Sequence, residues 1–444
     1  MRMKYRAKNF IYIAIFIDLL QKCGRAIPMN TRADLKMEDK PGKDKKPIPP
    51  WAKANGLDKL EGDIKLSPNV ESLVAGGVEK DKKNEPYEKG AVTNKIYLWT
   101  NAIVPYVIDS AFGRYSSDSQ AIKDAIATVE QISCVRFKTR TDEQYYIKFV
   151  RGNGCWSYVG QVHMSGGQPL SIGTGCGFIG TVLHELMHAL GFFHTSSRHD
   201  RDSYVVVISE NIRKGYKANF KKYNHGIVDR LEAPYDMTSL MHLPRNAFSK
   251  NGLNTLEARA GPNVPLGKRD RLSEIDKAQL NSLYSCTGYP SCYKAFGMES
   301  FKIPDSKITA SSYKMYHEPH QARLHMQASA SGDGAWCAGQ NLHQGEWLQV
   351  DLKGKKVVTG IATQGKLGLF VNAWTTFLEL WYSLDQNTWY PAFNGQLISA
   401  NFDMNSVQYN QAPKPFTARY VRFEPMFWYN EICLRVEIYG CDGE

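Results

Sequence analysis

The sequence predicts a multidomain protein in which an α/β domain is followed by an all-β domain. At 444 residues the chain is too long for one ordinary domain, and its 43% hydrophobic residues are enough to build packed cores. From residue 97 to about residue 287, apolar strand-like runs alternate with segments of helical spacing. From residue 292 onward, short strand-like segments are punctuated by Gly, Asn and Pro, and helical periodicity is almost absent. The first pattern is typical of an α/β domain, and the second indicates a β-sandwich or barrel.

The first 26 residues are typical of a signal peptide. Four basic residues among the first eight precede a short apolar run, Phe10 to Leu20, and Gly24-Arg25-Ala26 supplies small residues for a signal peptidase. The alternative is a membrane anchor, but the run is shorter than the roughly 20 apolar residues that a membrane-spanning helix needs. We therefore predict a secreted, extracellular protein.

Residues 27–89 are charged, contain several prolines and are poor in aromatic residues, which is typical of a flexible leader. The formal charge of the chain is +11, of which residues 1–26 contribute +5 and residues 27–89 contribute +1. The remaining +5 corresponds to an ordinary mixed surface, so the charge does not indicate a nucleic-acid partner.

Cysteine usage agrees with export. Without Cys23, which belongs to the predicted signal peptide, eight cysteines remain, and no two of them form a CxxC zinc pair. A disulfide framework is the better interpretation, although the count alone leaves the pairing open. The eight are Cys134, Cys155, Cys176, Cys286, Cys292, Cys337, Cys433 and Cys441.

Local patterns predict the main helices and strands. A third helix of the α/β region should begin after Ser273 as N-cap, with Asp276 three residues on, and end near Tyr284. The other elements predicted there are strands at 103–108 and 145–150 and helices at 119–132 and 180–190. The all-β region has predicted strands at 346–352, 377–383 and 419–423, among others.

The second predicted helix carries a metal-binding pattern, His184-Glu185-Leu186-Met187-His188. His184 and His188 lie one turn apart on the same helix face, so their imidazoles can share one metal ion. Gly191 permits the positive φ that ends a helix, and the turned chain can bring His194 round as a third ligand. Three neutral nitrogen ligands with an open fourth position are typical of catalytic zinc, here one ion per chain.

Glu185 lies on the adjacent helix face and is the candidate general base. Zinc lowers the pKa of a bound water to about 7, and Glu185 can take its proton and pass it to a leaving amine. A bare HExxH pattern also arises by chance in helices, but the third histidine behind a glycine favours the metal site. Met241 lies in a predicted tight turn under the site, whereas the other histidines lack ligand spacing and are predicted surface or core residues.

Further runs accompany the zinc motif at residues 154–160, 198–202, 239–242, 268–273 and 283–286. Together they resemble the astacin family of metzincins, over about residues 90–287. The resemblance implies a two-lobed α/β catalytic domain with zinc in the cleft, and the disulfide bonds Cys134–Cys286 and Cys155–Cys176. It also implies that residues 27–89 are a propeptide, because Leu60-Glu61-Gly62-Asp63 is similar to the family's prodomain motif. In that motif the aspartate, here Asp63, occupies the open zinc position until activation.

Two positions differ from the family pattern. After the third histidine the family has Glu, which pairs with the new N-terminus after activation, but this chain has Thr195. After the histidine of the Met-turn the family has Tyr, a switchable ligand that stabilises the transition state, but this chain has Leu243. Losing one oxyanion donor typically costs about 10²–10³ in rate, so we expect a slow peptidase.

The C-terminal region carries a second resemblance, through runs at residues 297–300, 303–306, 334–337, 346–352, 418–422 and 433–441. They resemble a discoidin domain, also called the coagulation-factor C-type domain, over residues 292–441. The resemblance implies an eight-stranded jelly-roll with the disulfide bonds Cys292–Cys441 and Cys337–Cys433. Such domains bind glycans, collagens or lipid headgroups through loops at one end. Tyr313 to His325 is the candidate loop, with an ordinary solvated loop as the alternative.

The leading hypothesis is a secreted zinc endopeptidase, made as a zymogen, that hydrolyses protein or peptide substrates. Its discoidin domain would hold it at extracellular matrix, a glycan or a membrane surface. The alternative is a binding or adhesion protein whose astacin-like domain is weakly active or inactive. The intact histidines and Glu185 favour the enzyme, while Leu243 and Thr195 keep the alternative open.

Overall fold

The computed structural model describes residues 61–65, 95–113, 116–223, 231–262, 264–288, 292–329, 332–339, 345–367 and 371–443. The predicted signal peptide, residues 1–26, and most of the predicted propeptide lie outside the described residues. Every described residue belongs to one unit of the chain, Pro47–Glu444.

The first domain is built on a six-stranded sheet. Its strands are β1 (Ile64–Lys65), β2 (Ile103–Ile108), β3 (Arg136–Thr139), β4 (Ile147–Val150), β5 (Cys155–Tyr158) and β6 (Gln168–Ile172). Their order is β1-β5-β6-β4-β2-β3, and every pair is parallel except β5 with β6. The leader supplies β1, whose Ile64 is paired with Ser157 of β5. The leader thus covers backbone groups that an edge strand would otherwise expose.

Two helices pack against each other in this domain, α1 (Ser117–Ile132) and α2 (Ile179–Ala189). α1 begins at the N-cap Ser116, whose hydroxyl accepts from the backbone N–H of Ser119 at 3.1 Å. The third helix, α3 (Glu274–Leu283), starts with the capping box formed by Ser273 and Asp276. The three predicted helices are confirmed, with ends that differ by one or two residues.

The segment between α2 and α3 has no long helix or strand among its described residues and carries the predicted tight turn. Its two short strands, β7 (Val205–Val207) and β8 (Leu256–Ala258), are antiparallel. The turn is confirmed, since His242 N–H donates to the carbonyl of Ser239 at 3.1 Å. Met241 is buried in the same apolar cluster as Leu183 and Leu186 of α2, so it packs beneath the helix that carries the predicted ligands.

The second domain is all-β, as predicted, and its strand-rich sheet is consistent with a jelly-roll. Helical structure in its described residues is confined to three-residue 3₁₀ turns. The two longest strands bend, because the register of their pairing shifts after Asp351 and again after Val358. The strands are β9 (Lys294–Ala295), β10 (Ile308–Ala310), β11 (Trp336–Cys337), β12 (Leu348–Gln364), β13 (Trp374–Ser383), β14 (Tyr390–Pro391), β15 (Ile398–Ser399), β16 (Gln408–Tyr429) and β17 (Cys433–Asp442).

The two domains share an apolar cluster. Backbone hydrogen bonds also cross the boundary, from Ala295 N–H to the carbonyl of Glu232 at 2.8 Å and from Val407 N–H to that of Ser203 at 3.1 Å. The interdomain contact is therefore packed as well as hydrogen-bonded. The cluster contains Tyr204, Val205, Leu243 and Leu256 of the first domain and Leu324, Ala362, Val407 and Tyr439 of the second.

Four disulfide bonds join the eight cysteines in the pairs that the two resemblances imply. They are Cys134–Cys286, Cys155–Cys176, Cys292–Cys441 and Cys337–Cys433. None of them crosses from one domain to the other. Among the described residues, no helix has the length and apolar character needed to cross a membrane.

Candidate metal centre

Helix α2 and the turn after it bring three imidazoles together. His184, His188 and His194 are fully buried. The Nε2 atom of His184 lies 3.1 Å from Nε2 of His188 and 3.1 Å from Nε2 of His194. Gly191 adopts φ of 111°, which turns the chain after the helix and returns His194 to the site. In a tetrahedral zinc site with Zn–N bonds of about 2.0–2.1 Å, ligand nitrogens lie roughly 3.3 Å apart. The observed spacing therefore fits zinc.

The outer nitrogens of the helix histidines show which tautomer they adopt. Nδ1 of His184 lies 2.9 Å from the carbonyl of Leu240, and Nδ1 of His188 lies 2.6 Å from that of Phe192. A carbonyl only accepts, so each Nδ1 carries the proton and each Nε2 presents a lone pair. Burial lowers the pKa of both imidazoles, with the nearby Arg269 charge adding to this effect at His184. Both rings are thus neutral, and the lone pair on each Nε2 atom can bind a cation.

A carboxylate from the leader faces the same point. One oxygen of Asp63 lies 3.3 Å from Nε2 of His184, and the other lies 3.6 Å from Nε2 of His188 and 3.3 Å from Nε2 of His194. The second oxygen is buried without a hydrogen-bond partner. Lone pairs of two neutral imidazoles and a carboxylate oxygen converge, an arrangement that a cation between them would stabilise. The four residues therefore fit a zinc ion with Asp63 as fourth ligand.

The third histidine has a different outer partner. Glu61 is buried, and its Oε2 accepts from Nδ1 of His194 at 2.6 Å and from the His194 backbone N–H at 3.3 Å. Its other oxygen accepts from the hydroxyl of Ser197. Burial lowers the pKa of His194, but Asp63 and Glu61 together raise it to about 9. A bound zinc ion must therefore displace a proton from this ring.

Glycine is required between the two carboxylates of the leader. Gly62 adopts φ of 97°, and a Cβ atom placed on it would lie 2.4 Å from the ring of Phe248. Only glycine combines this backbone conformation with so close an aromatic neighbour. Gly62 thus lets the leader direct Glu61 and Asp63 to opposite sides of His194.

The candidate base Glu185 is buried beside the histidines and close to Arg269, whose Nε and Nη2 atoms are also buried. Burial lowers the pKa of the Arg269 guanidinium, while the charges of Asp63 and Glu185 act in the opposite direction. Arg269 belongs to the run 268–273, which carries part of the family resemblance. In the structure its charge lies close to both Asp63 and Glu185.

A buried aspartate supports the turn that holds His184. Asp276 of α3 accepts from the Leu240 backbone N–H at 2.8 Å and from the Ser239 hydroxyl at 2.6 Å. The Leu240 carbonyl accepts the hydrogen bond from His184 Nδ1, so Asp276 positions His184 indirectly, through Leu240. Burial and the nearby charge of Asp236 raise the pKa of Asp276 to about 6.

The two departures from the family pattern lie close to the site. The Thr195 hydroxyl donates to that of Ser239 at 3.1 Å, and its N–H donates to the Met241 carbonyl at 3.0 Å. Leu243 is buried in the cluster that both domains share. The hydroxyl of Tyr235 bonds to His242 at 2.8 Å. Thr195 therefore supports the Met-turn, while Leu243 contributes packing and no hydrogen-bond donor.

Of the five predicted site residues, Asp63, His184, His188 and His194 converge on one point, and Glu185 is buried next to His184 in α2. No role at the site was predicted for Glu61, Arg269 or Asp276. The signal for Glu61 was its place two residues before Asp63 in a recognised motif. Arg269 and Asp276 had no local signal for such a role, because both reach the site from the C-terminal part of the domain.

This fold and site, with three converging histidines behind an HExxH helix and a carboxylate facing them, are typical of the zinc metallopeptidase class. Comparison with known protein families gives two matches. The astacin peptidase family matches residues 91–285, and the F5/8 type C domain matches residues 307–438.

Individual relatives agree with these matches. The chain is 35% identical over 297 residues to protein SpAN of Strongylocentrotus purpuratus, an alignment that covers 62% of this chain and 47% of SpAN. It is 38% identical over 233 residues to meprin A subunit beta of Mus musculus, covering 52% of this chain and 30% of meprin. It is 35% identical over 240 residues to zinc metalloproteinase nas-4 of Caenorhabditis elegans, covering 52% of this chain and 75% of nas-4. The chain belongs to the astacin family. It spans half or less of the length of SpAN and of the meprin subunit.

Proposed function

We propose that this chain is the exported, latent precursor of a zinc endopeptidase that acts on protein or peptide substrates. The observation that carries the proposal is the contact of Asp63 with the Nε2 atoms of His184, His188 and His194. A leader carboxylate on three metal-binding nitrogens occupies the position that a catalytic zinc site keeps open for water. Such a contact would keep the site closed until the leader leaves.

His184, His188 and His194 would hold the zinc ion, which when bound polarises a peptide carbonyl and makes a water molecule acidic. Glu185 takes the proton of the attacking water and delivers it to the leaving amine, as its place beside His184 in α2 allows. The charge of Arg269 lies close enough to Glu185 for the two groups to interact electrostatically in the buried site. Strand β5, freed of β1, offers backbone groups to an extended peptide.

Export is supported by the sequence of residues 1–26 and by the four disulfide bonds, which form and persist in oxidising compartments. Activation would follow cleavage of the leader near Lys89. The domain limits 1–26, 27–89, 90–287 and 292–441 are part of this proposal.

The discoidin domain would localise the peptidase through the loops around Tyr313. Tyr313, Met315 and Tyr316 are more than half exposed, an unusual density of apolar side chains for a solvated loop. His317 and His325 of the same segment point inward, to the Ala335 carbonyl and to Glu299. Tyr313 and Tyr316, rather than His317 and His325, are thus the candidates for contact with matrix, glycan or a membrane surface.

The activity is tested with purified precursor and with protein cleaved near Lys89, on casein and on a fluorogenic peptide. Cleaved, zinc-loaded protein should hydrolyse both, and a chelator or Glu185→Ala should abolish hydrolysis. Undetectable turnover in cleaved protein with one zinc ion bound would favour the alternative, a binding protein with an inactive peptidase domain. Leu243, which provides no hydroxyl at the family's tyrosine position, is the observation that supports this alternative.

A further inference from the structure

The three histidines of the metal centre differ in where their outer hydrogen-bond acceptors come from. The peptidase domain itself supplies main-chain carbonyls to His184 and His188, from Leu240 and Phe192. The leader supplies the acceptor of His194, the carboxylate of Glu61, at 2.6 Å. Removal of the leader therefore changes the surroundings of one ligand and leaves those of the other two in place.

The outer acceptor of a metal-bound histidine fixes its tautomer, orients its ring and raises its basicity. A carboxylate does this more strongly than a carbonyl, because a charge-assisted hydrogen bond is about twice as strong as a neutral one. Loss of such an acceptor typically costs about 10–100-fold in metal affinity. Glu61 is 1% exposed, so solvent does not weaken its bond to His194.

We propose that Glu61 is a positioning residue for the zinc ligand His194, and that the leader thereby holds zinc in the precursor as well as blocking the site. The two carboxylates of the leader then have separate tasks. Asp63 takes the open coordination position and causes latency, while Glu61 acts through His194 and secures the metal until activation. This inference rests on the proposed latent precursor, and it assigns to the leader a role in metal loading.

A simpler role for Glu61 would be to dock the leader. Its second oxygen accepts from the hydroxyl of Ser197, a contact that holds the leader without involving a ligand. The two roles predict different behaviour for different variants. Ser197→Ala removes the docking contact only, and Glu61→Gln keeps the size of the side chain and one acceptor oxygen but removes its charge.

The test measures zinc affinity by competition with a chromogenic chelator, in full-length uncleaved precursor. We expect affinity to fall about 10–100-fold in Glu61→Ala and severalfold in Glu61→Gln, with little change in Ser197→Ala. Cobalt-substituted precursor gives a second readout, because its visible absorption reports the geometry of the ligands. The spectrum should shift in both Glu61 variants and stay unchanged in Ser197→Ala.

Cleavage of the leader supplies an internal control. Residue 61 leaves with the leader, so cleaved parent and cleaved Glu61 variants are the same protein and must bind zinc equally. Parent-like zinc affinity in the Glu61→Gln and Glu61→Ala precursors would overturn the proposal, and so would an equal loss in Ser197→Ala. These measurements do not depend on turnover, so they stand whether or not the cleaved protein proves to be a peptidase.

Discussion

The substitution Asp63→Ala tests latency most directly. The carboxylate is 4% exposed and lies 3.3–3.6 Å from three imidazole nitrogens. Burial raises the pKa of Asp63, but the charge of His194 acts in the opposite direction, and the pKa lies well below its ordinary value. Asp63 is therefore an anion at neutral pH and a strong ligand for the site.

Removal of one partner from a buried ionic contact costs about 3–5 kcal/mol. At 1.4 kcal/mol per factor of ten, the ratio of docked to open leader should fall about 10²-fold or more. The contacts of Glu61 and the pairing of β1 with β5 remain, so docking of the leader is weakened in the variant but not abolished. Uncleaved Asp63→Ala should consequently hydrolyse a fluorogenic peptide, whereas the uncleaved parent stays silent.

Lys65→Ala is a matched control in the same leader. Lys65 lies over the ring of Trp156, with its Nζ 4.3 Å from the centroid, so its loss weakens docking without touching the metal site. A contact of this kind contributes about 0.5–1 kcal/mol, which corresponds to at most about a fivefold change. Electrophoresis after the assay must show the leader intact. An Asp63→Ala precursor that is silent while its cleaved form is active would refute the reasoning.

Three further predictions concern rate, pH and the domain interface. Leu243→Tyr should raise kcat of the cleaved enzyme by up to about 10²-fold with little change in KM. Leu243→Phe is the control for ring size, and equal kcat values in the two variants would contradict a role for the hydroxyl. Asp276, with its pKa raised to about 6, binds its proton more tightly in the folded state than in the unfolded chain. As pH rises from 4 to 6, the free energy of unfolding of the parent, measured by urea denaturation, should fall relative to that of Asp276→Asn by up to about 3 kcal/mol. Parallel plots of unfolding free energy against pH for the two proteins would contradict this. Leu324→Ala should destabilise the precursor by about 2–5 kcal/mol. On heating, loss of activity should coincide with unfolding of the discoidin domain. Separate transitions for the two events would show that the domains unfold independently.

Local sequence was enough to predict the helices, the order of the two domains and the histidines that converge in the structure. The spacing of His184 and His188 on one helix face, the glycine at 191 and the capping box at Ser273 are properties of a few neighbouring residues. Local backbone geometry determines them, so they can be predicted without knowledge of the rest of the fold. The astacin and discoidin resemblances rested on runs of the same short length.

Strand bounds were predicted less well, and several partners of the site were not predicted at all. Strands β12 and β16 extend far beyond the predicted 346–352 and 419–423, because pairing with distant strands continues each of them past a register shift. The bond between Glu61 and His194 spans 133 residues, and that between Asp276 and Leu240 spans 36. The sequence by itself determined which residues could bind zinc. Only the tertiary structure decided which residues support them, because such contacts depend on how distant segments pack and leave no periodic pattern in the chain.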